Sequence, residues 1–141
     1  MSETFKKSLN DEEKNIYLKA LSYVLNCNDK VTEKCDFILK RAKEINFPTK
    51  NLRAIKKVSR PETISNELLK IKDVRLRRYF MREMVMLAVS DHELADSEMC
   101  NLYKIATSVG IKEEKINDFF LWAAQGVEWQ IEGTRLVEDD L

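Results

Sequence analysis

Four carboxylates fall within eight residues of the segment Ser90-Asp91-His92-Glu93-Leu94-Ala95-Asp96-Ser97-Glu98: Asp91, Glu93, Asp96 and Glu98. Ca²⁺ and Mg²⁺ are held by several anionic oxygens at short range, and this loop supplies them. A weaker version lies upstream, where Asn26, Asn28, Asp29, Glu33 and Asp36 cluster and Asp29 and Glu33 are the candidate ligands. The same acids have a second use. At a helix start they satisfy free amides and favour the positive end of the helix dipole, each by about 0.3–1 kcal/mol. Capping is the weightier reading of the two, since it needs no metal. An EF-hand is excluded, because the sixth position from Asp91 is Asp96 rather than Gly and the twelfth is Leu102 rather than an acid.

A second chemistry belongs to cations. Lys72, Arg75, Arg78 and Arg82 recur at three- and four-residue spacing, so a helix would place them on one face. With Lys50, Arg53, Lys56, Lys57 and Arg60 they can form a patch for nucleic-acid phosphate, anionic lipid or an acidic protein. Apart from Tyr79, no aromatic is interleaved with them, and no nucleic-acid-binding motif is present. A solvated face is therefore weightier than nucleic-acid or membrane binding. Phe119, Phe120 and Trp122 are too close in sequence to face one core. Phe120 or Trp122 is expected at the surface, and with Trp129 they form a candidate partner or self-association surface. Packing beneath Val127, Trp129 and Ile131 is the commoner fate of such rings. The single histidine, His92, has no orienting partner in its loop, and no catalytic constellation or phosphate-binding glycine loop is found. A hydrolase or transferase would have to rest on a metal in the acidic cluster.

The elements that must position these groups read as helices throughout. Asn10 with Glu13 three residues later is a capping-box pattern. Ile16, Ala20, Tyr23, Val24 and Cys27 follow as an apolar stripe. A second helix, capped by Thr32, turns Cys35, Ile38, Leu39, Ala42 and Ile45 inward and stops before Pro48. A short third helix with Leu52, Ile55 and Val58 inward and a fourth over Ile64 to Ile71 flank a break at Pro61. Asp73 caps a fifth helix reaching Val89, apolar nearly all round toward its end and so expected to be the hub. A sixth runs from Asp96 to Val109 and is ended by Gly110 with Ile111 following. The seventh carries Ile116, Phe119, Phe120 and Ala123 and is expected to end at Gly126, leaving residues 132–141 as a flexible tail.

With 141 residues, 34% charged and 44% hydrophobic, the chain has the profile of one all-α domain that folds in water. No 18-residue apolar run or signal-peptide pattern occurs, and a cytoplasmic location is expected. Cys27, Cys35 and Cys100 lack metal-type spacing and read as reduced, small core hydrophobes. The zero formal net charge hides a segregation: residues 50–82 carry 11 Lys and Arg against 3 Asp and Glu, whereas residues 83–141 carry 4 against 13.

The chain also echoes itself. Leu21 to Val31 is answered by Met84 to Leu94, and Cys35, Ile38, Leu39, Ala42, Ile45 and Phe47 align with Met99, Leu102, Tyr103, Ala106, Val109 and Ile111. The halves are about 10–58 and 73–125. The stretch Met84 to Leu94, followed by Glu98 and by Ile105-Ala106-Thr107-Ser108-Val109-Gly110-Ile111, resembles the TerB-like family. That family includes a bacterial tellurite-resistance protein and the N-terminal domain of a membrane-anchored DnaJ-like co-chaperone. The match covers 84–120 well and 18–55 more loosely, and His92 stands where the family carries Gly. The resemblance implies an all-α bundle of about seven helices built from two related halves. It implies acidic loops that bind a divalent cation, Ca²⁺ or Mg²⁺, through Asp91, Glu93 and Glu98, with Asp29 and Glu33 as fainter counterparts. It further implies a role in stress response or as an interaction module and no known enzymatic reaction; a protein partner or a homodimer is what the exposed aromatics suggest.

Overall fold

The computed structural model describes residues 8–26, 31–48, 50–51, 60–90 and 96–138, with side chains for all of these except 25–26 and 31–37. The described residues are all-helical, with no strand. Six α-helices follow one another: α1 (Asp11–Asn26), α2 (Val31–Glu44), α3 (Pro61–Leu69), α4 (Val74–Val89), α5 (Asp96–Ser108) and α6 (Glu113–Glu138). The short helix expected around Leu52, Ile55 and Val58 lies outside the described residues, after one 3₁₀ turn at Lys50 and Asn51.

Local chemistry sets the helix ends. Asn10 and Glu13 exchange backbone-to-side-chain hydrogen bonds of 2.9 and 2.8 Å, closing the capping box of α1. Asp73 accepts from the Arg75 amide at 2.9 Å and starts α4. Gly110, at φ 87°, ends α5: its amide reaches the Thr107 carbonyl and the Ile111 amide reaches Ala106. The end of α2 uses the same paired bonds. Asn46, at φ 58°, bonds Lys43 while Phe47 bonds Ala42. Asn tolerates the left-handed region better than other side-chain-bearing residues, which suits it to this position.

The core holds two enveloped helices rather than one hub. α4 buries Leu76, Phe80, Met81, Met84, Val85, Leu87 and Ala88, as its apolar run requires. α1 buries Ile16, Tyr17, Leu18, Ala20, Leu21, Tyr23 and Val24, more than a single stripe. α1 packs on α2, α3 and α4, while α4 packs on α1, α5 and α6, and α3 bridges to α5. Leu39 departs from its expected inward place and is 39% exposed. Cys100 is exposed as well, because the inward face of α5 is Leu102, Ile105 and Ala106; the core role expected for this thiol is corrected. Cys27 and Cys35 fall outside the described side chains.

One charged residue sits in this core. Glu83, 2% exposed on α4, accepts a hydrogen bond from the Tyr17 hydroxyl of α1 at 3.2 Å. Its other oxygen lies 3.5 Å from the guanidinium of Arg41 on α2, which also bonds Glu44 at 2.8 Å. The Tyr17 ring rests tilted on Phe80 with centroids 4.9 Å apart. Burial, then the neighbouring Glu83 carboxylate, raises the Tyr17 pKa far above its ordinary value and keeps the hydroxyl a donor. Burial pulls the Arg41 pKa down, but the attraction of Glu83 and the bond to Glu44 outweigh it. On the rim, Glu67 of α3 joins Lys19 of α1 at 3.3 Å and its own Lys70 at 3.1 Å. Burial opposes its ionisation, and these two ammonium groups more than reverse that, lowering its pKa. Arg77 crosses three segments, donating to the carbonyls of Ile71 at 2.5 Å, Val109 at 3.3 Å and Leu69 at 3.4 Å.

α6 overturns the expectation for the C-terminal segment. Gly126 does not end the helix, and residues 132–138, expected in a flexible tail, are its last turns. Of the glycines, only Gly110 has the left-handed backbone that stops a helix; a glycine with helical dihedrals costs about 1 kcal/mol and lets the helix continue. Val127, Trp129 and Ile131 therefore belong to one continuous helix.

Glu83→Ala removes the buried acceptor that Tyr17 and Arg41 share and leaves the guanidinium with Glu44, and it is expected to destabilise the fold by about 3 kcal/mol in urea unfolding. Replacing both members, Glu83→Leu with Arg41→Met, should recover most of that loss. A double variant as weak as the single one would show that the loss does not come from the stranded guanidinium.

Candidate functional site

The structure brings together two groups that are far apart in sequence. Arg75, Arg78, Tyr79 and Arg82 of α4 with Lys115 and Phe119 of α6 line one shallow groove with a volume of about 140 Å³. Arg75 and Arg78 are exposed, as the helical spacing requires, because the opposite face of α4 carries Leu76, Phe80 and Glu83 into the core. Lys72 is exposed just before the α4 cap. Arg82 is half-buried, with its guanidinium carbon 5.1 Å from the Tyr79 ring centroid and 5.4 Å from that of Trp122. Both distances are those of a cation–π contact. Its Nε is shielded from solvent and has no hydrogen-bond acceptor among the described residues. The aromatic interleaving that the basic stretch lacks in sequence is thus supplied by α6.

The three expected surface aromatics divide. Phe120 is half-buried, stacked on Tyr103 of α5 with centroids 5.4 Å apart and planes 5° from parallel. The Tyr103 hydroxyl donates to Asn117, which fixes that pair against α6. Trp122 is 46% exposed and Trp129 78%, so these two present the apolar surface. The expected packing beneath Val127, Trp129 and Ile131 does not occur for Trp122, since those residues continue the same helix and Glu128 to Glu138 are all exposed. Among the described residues, Leu136 and Val137 extend the exposed apolar surface of α6 to its end.

The acidic loop is seen only at its edge. Asp96 and Glu98 stand in the first turn of α5, Asp96 exposed and Glu98 half-buried. Asp91, His92 and Glu93 lie outside the described residues, as do Asp29 and the side chain of Glu33. Among the described residues no three His, Cys, Asp or Glu side chains converge with metal-binding geometry. The larger hollow of about 600 Å³ lies elsewhere, between Ser90 and the Val127–Glu138 stretch of α6, where it meets one acid and one base, Glu138 and Arg135. No described helix is long and apolar enough to cross a membrane.

Sequence reasoning missed two features here. Glu83 reads as one more charge on a cationic helix until Tyr17 and Arg41 are seen around it. Its signal is the apolar company of Phe80 at i−3 and Leu87 at i+4, which places it on the apolar face. The Arg82–Trp122 contact spans 40 positions and carries no local signal.

Removing the cation should uncover both rings. In a Trp129→Phe background, which leaves Trp122 as the only tryptophan, Arg82→Ala should raise acrylamide quenching of Trp122 and cost about 1 kcal/mol or less. Unchanged quenching would mean that Arg82 does not shield that ring in solution.

Comparison of the chain with protein-family models, curated proteins and solved structures finds no match.

Proposed function

We propose that this chain is a cytoplasmic, non-enzymatic interaction module whose α4–α6 groove binds an acidic segment of a protein partner. The observation that carries this reading is the Arg82 guanidinium held between Tyr79 and Trp122, beside Arg75, Arg78 and Lys115. Stacking fixes the fork of Arg82, so less conformational freedom is lost when a carboxylate binds. The flanking rings give apolar contact next to the charges, a combination that favours an amphipathic acidic peptide over free phosphate. The TerB-like resemblance supports the same class of role, and a function in stress response, including tellurite resistance, rests on that resemblance alone. The matched left-handed caps at Asn46 and Gly110 support a duplication of two helical halves within a bundle of about seven helices.

The test is fluorescence anisotropy of a labelled amphipathic Glu/Leu helical peptide against the whole chain. Binding is expected to weaken at least tenfold in the Arg75→Glu/Arg78→Glu variant and to fall with salt. Binding that ignores both changes overturns the groove. The alternative occupant is an anionic surface, a nucleic acid or a membrane lipid, favoured by the same row of cations. Single-stranded DNA or phosphatidylserine vesicles bound more tightly than the peptide, with a steep salt slope, would replace the protein partner by that surface.

A divalent cation bound by Asp91, Glu93, Asp96 and Glu98, with Asp29 and Glu33 as a weaker set, is the regulatory part of the proposal. Asp96 and Glu98 in the first turn of α5 support it, although the same position suits caps. Ca²⁺ or Mg²⁺ at 100 times its dissociation constant should stabilise chelator-treated protein by about 2.7 kcal/mol, a shift of a few degrees in Tm. Asp91→Asn with Glu98→Gln should abolish that shift. No shift with either ion would leave these carboxylates as helix caps.

A further inference from the structure

The outer face of α6 alternates large and small in a seven-residue rhythm. Phe119, Trp122, Gly126, Trp129, Gly133 and Leu136 follow at spacings of three and four, the spacing of a helix–helix seam. The large members are half-buried at Phe119 and 46%, 78% and 72% exposed at Trp122, Trp129 and Leu136. At Gly126 and Gly133 a Cβ would meet nothing within 4 Å, so both positions are open notches in the helix surface. Among the described residues nothing fills them.

We infer that this face is a homodimer seam, on which α6 of a second copy lies antiparallel. The stripe is complementary to itself in one register. When Trp129 faces Gly126 of the partner helix, Trp122 faces Gly133 and Phe119 faces Leu136. Two-fold symmetry then repeats each pairing. Every indole enters a glycine notch, and no large side chain meets another except at the Phe119–Leu136 ends. A parallel pairing in register would instead set tryptophan against tryptophan and glycine against glycine, leaving voids beside clashes. The seam from 119 to 136 spans about 27 Å at the helical rise of about 1.5 Å per residue.

Charge selects the same direction, and here the inference rests on the groove reading above. The antiparallel register sets Glu138 of the partner helix, which follows its Arg135 by three residues, level with residues 115–117. That is where Lys115 and the Arg75–Arg78 row line the groove. The acidic segment that the groove takes is then α6 of the second copy. A parallel pair would instead set the Glu113–Glu114 first turns of the two helices side by side.

The experiment is light scattering of the whole chain after size exclusion, loaded between about 10 and 200 µM. A mass of twice 16.5 kDa is expected. Gly126→Leu and Gly133→Leu fill the notches without touching the bundle, so each should keep or raise the monomer's thermal stability. Each should also weaken the dimer at least tenfold. Lys115→Glu should weaken it as well. A monomer at every concentration, or a dimer indifferent to both glycine variants, overturns the seam. If Arg75→Glu/Arg78→Glu abolishes peptide binding while the dimer persists, the seam stands and the groove serves another acidic ligand. If the dimer is lost in the glycine variants while the peptide still binds, both readings stand. Binding of DNA or vesicles by a monomeric chain assigns the face to an anionic surface instead.

Discussion

A carboxylate that is 2% exposed must find its partners before the helices around it can close, and in this protein Glu83 finds them on two other helices. The Tyr17 hydroxyl reaches it from α1 and the Arg41 guanidinium from α2. An apolar contact tolerates sliding by a fraction of a turn, whereas a charge in the core does not, because any slip leaves it unpaired. The crossing of α1 and α4 and the seat of α2 are therefore set together. Arg41 in turn holds Glu44, the last residue of α2, so the same network reaches the Asn46 turn.

Fixing the rotation of α4 about its axis decides where its other charges go. With Glu83 inward, Arg75 and Arg78 fall outward, and Arg82 reaches the aromatics of α6. Arg77 takes a different course, tying carbonyls of Leu69, Ile71 and Val109 at the junction of α3, α4 and the end of α5. One helix thus spends its cations in two ways. One set satisfies backbone oxygens that a tight junction leaves open, and the other faces solvent beside rings. The binding surface is a by-product of core geometry in this sense: the groove exists where it does because a buried acid on the opposite face holds α4 in one rotation.

Features written in neighbouring residues were legible in the sequence. The Asn10–Glu13 box, the Asp73 cap, the Gly110 stop and the outward row of Arg75 and Arg78 each follow from a spacing of at most four. That either Phe120 or Trp122 reaches the surface followed from crowding with Phe119, and Trp122 is the one exposed. What depended on distant partners did not show. Apolar neighbours at i−3 and i+4 turn Glu83 inward, but nothing local names Tyr17 and Arg41 as its partners or pairs Arg82 with an indole 40 positions on. Gly126 misled for a different reason, since a glycine permits a left-handed stop but does not compel one. Asn46 made such a stop without being a glycine.

The distal half of α6 has a thermodynamic consequence of its own. From Glu128 to Glu138 its residues are all exposed, so this stretch is held by its own ladder and by continuity with the packed turns before it. Gly126 and Gly133 each weaken that ladder by about 1 kcal/mol relative to alanine. Free helices of such length are marginal in water. Amide protection along α6 should therefore fall in a gradient from Ile116 outward. Any molecule that covers the far turns would flatten that gradient, and the helix would report its own occupancy through the exchange rates of its amides.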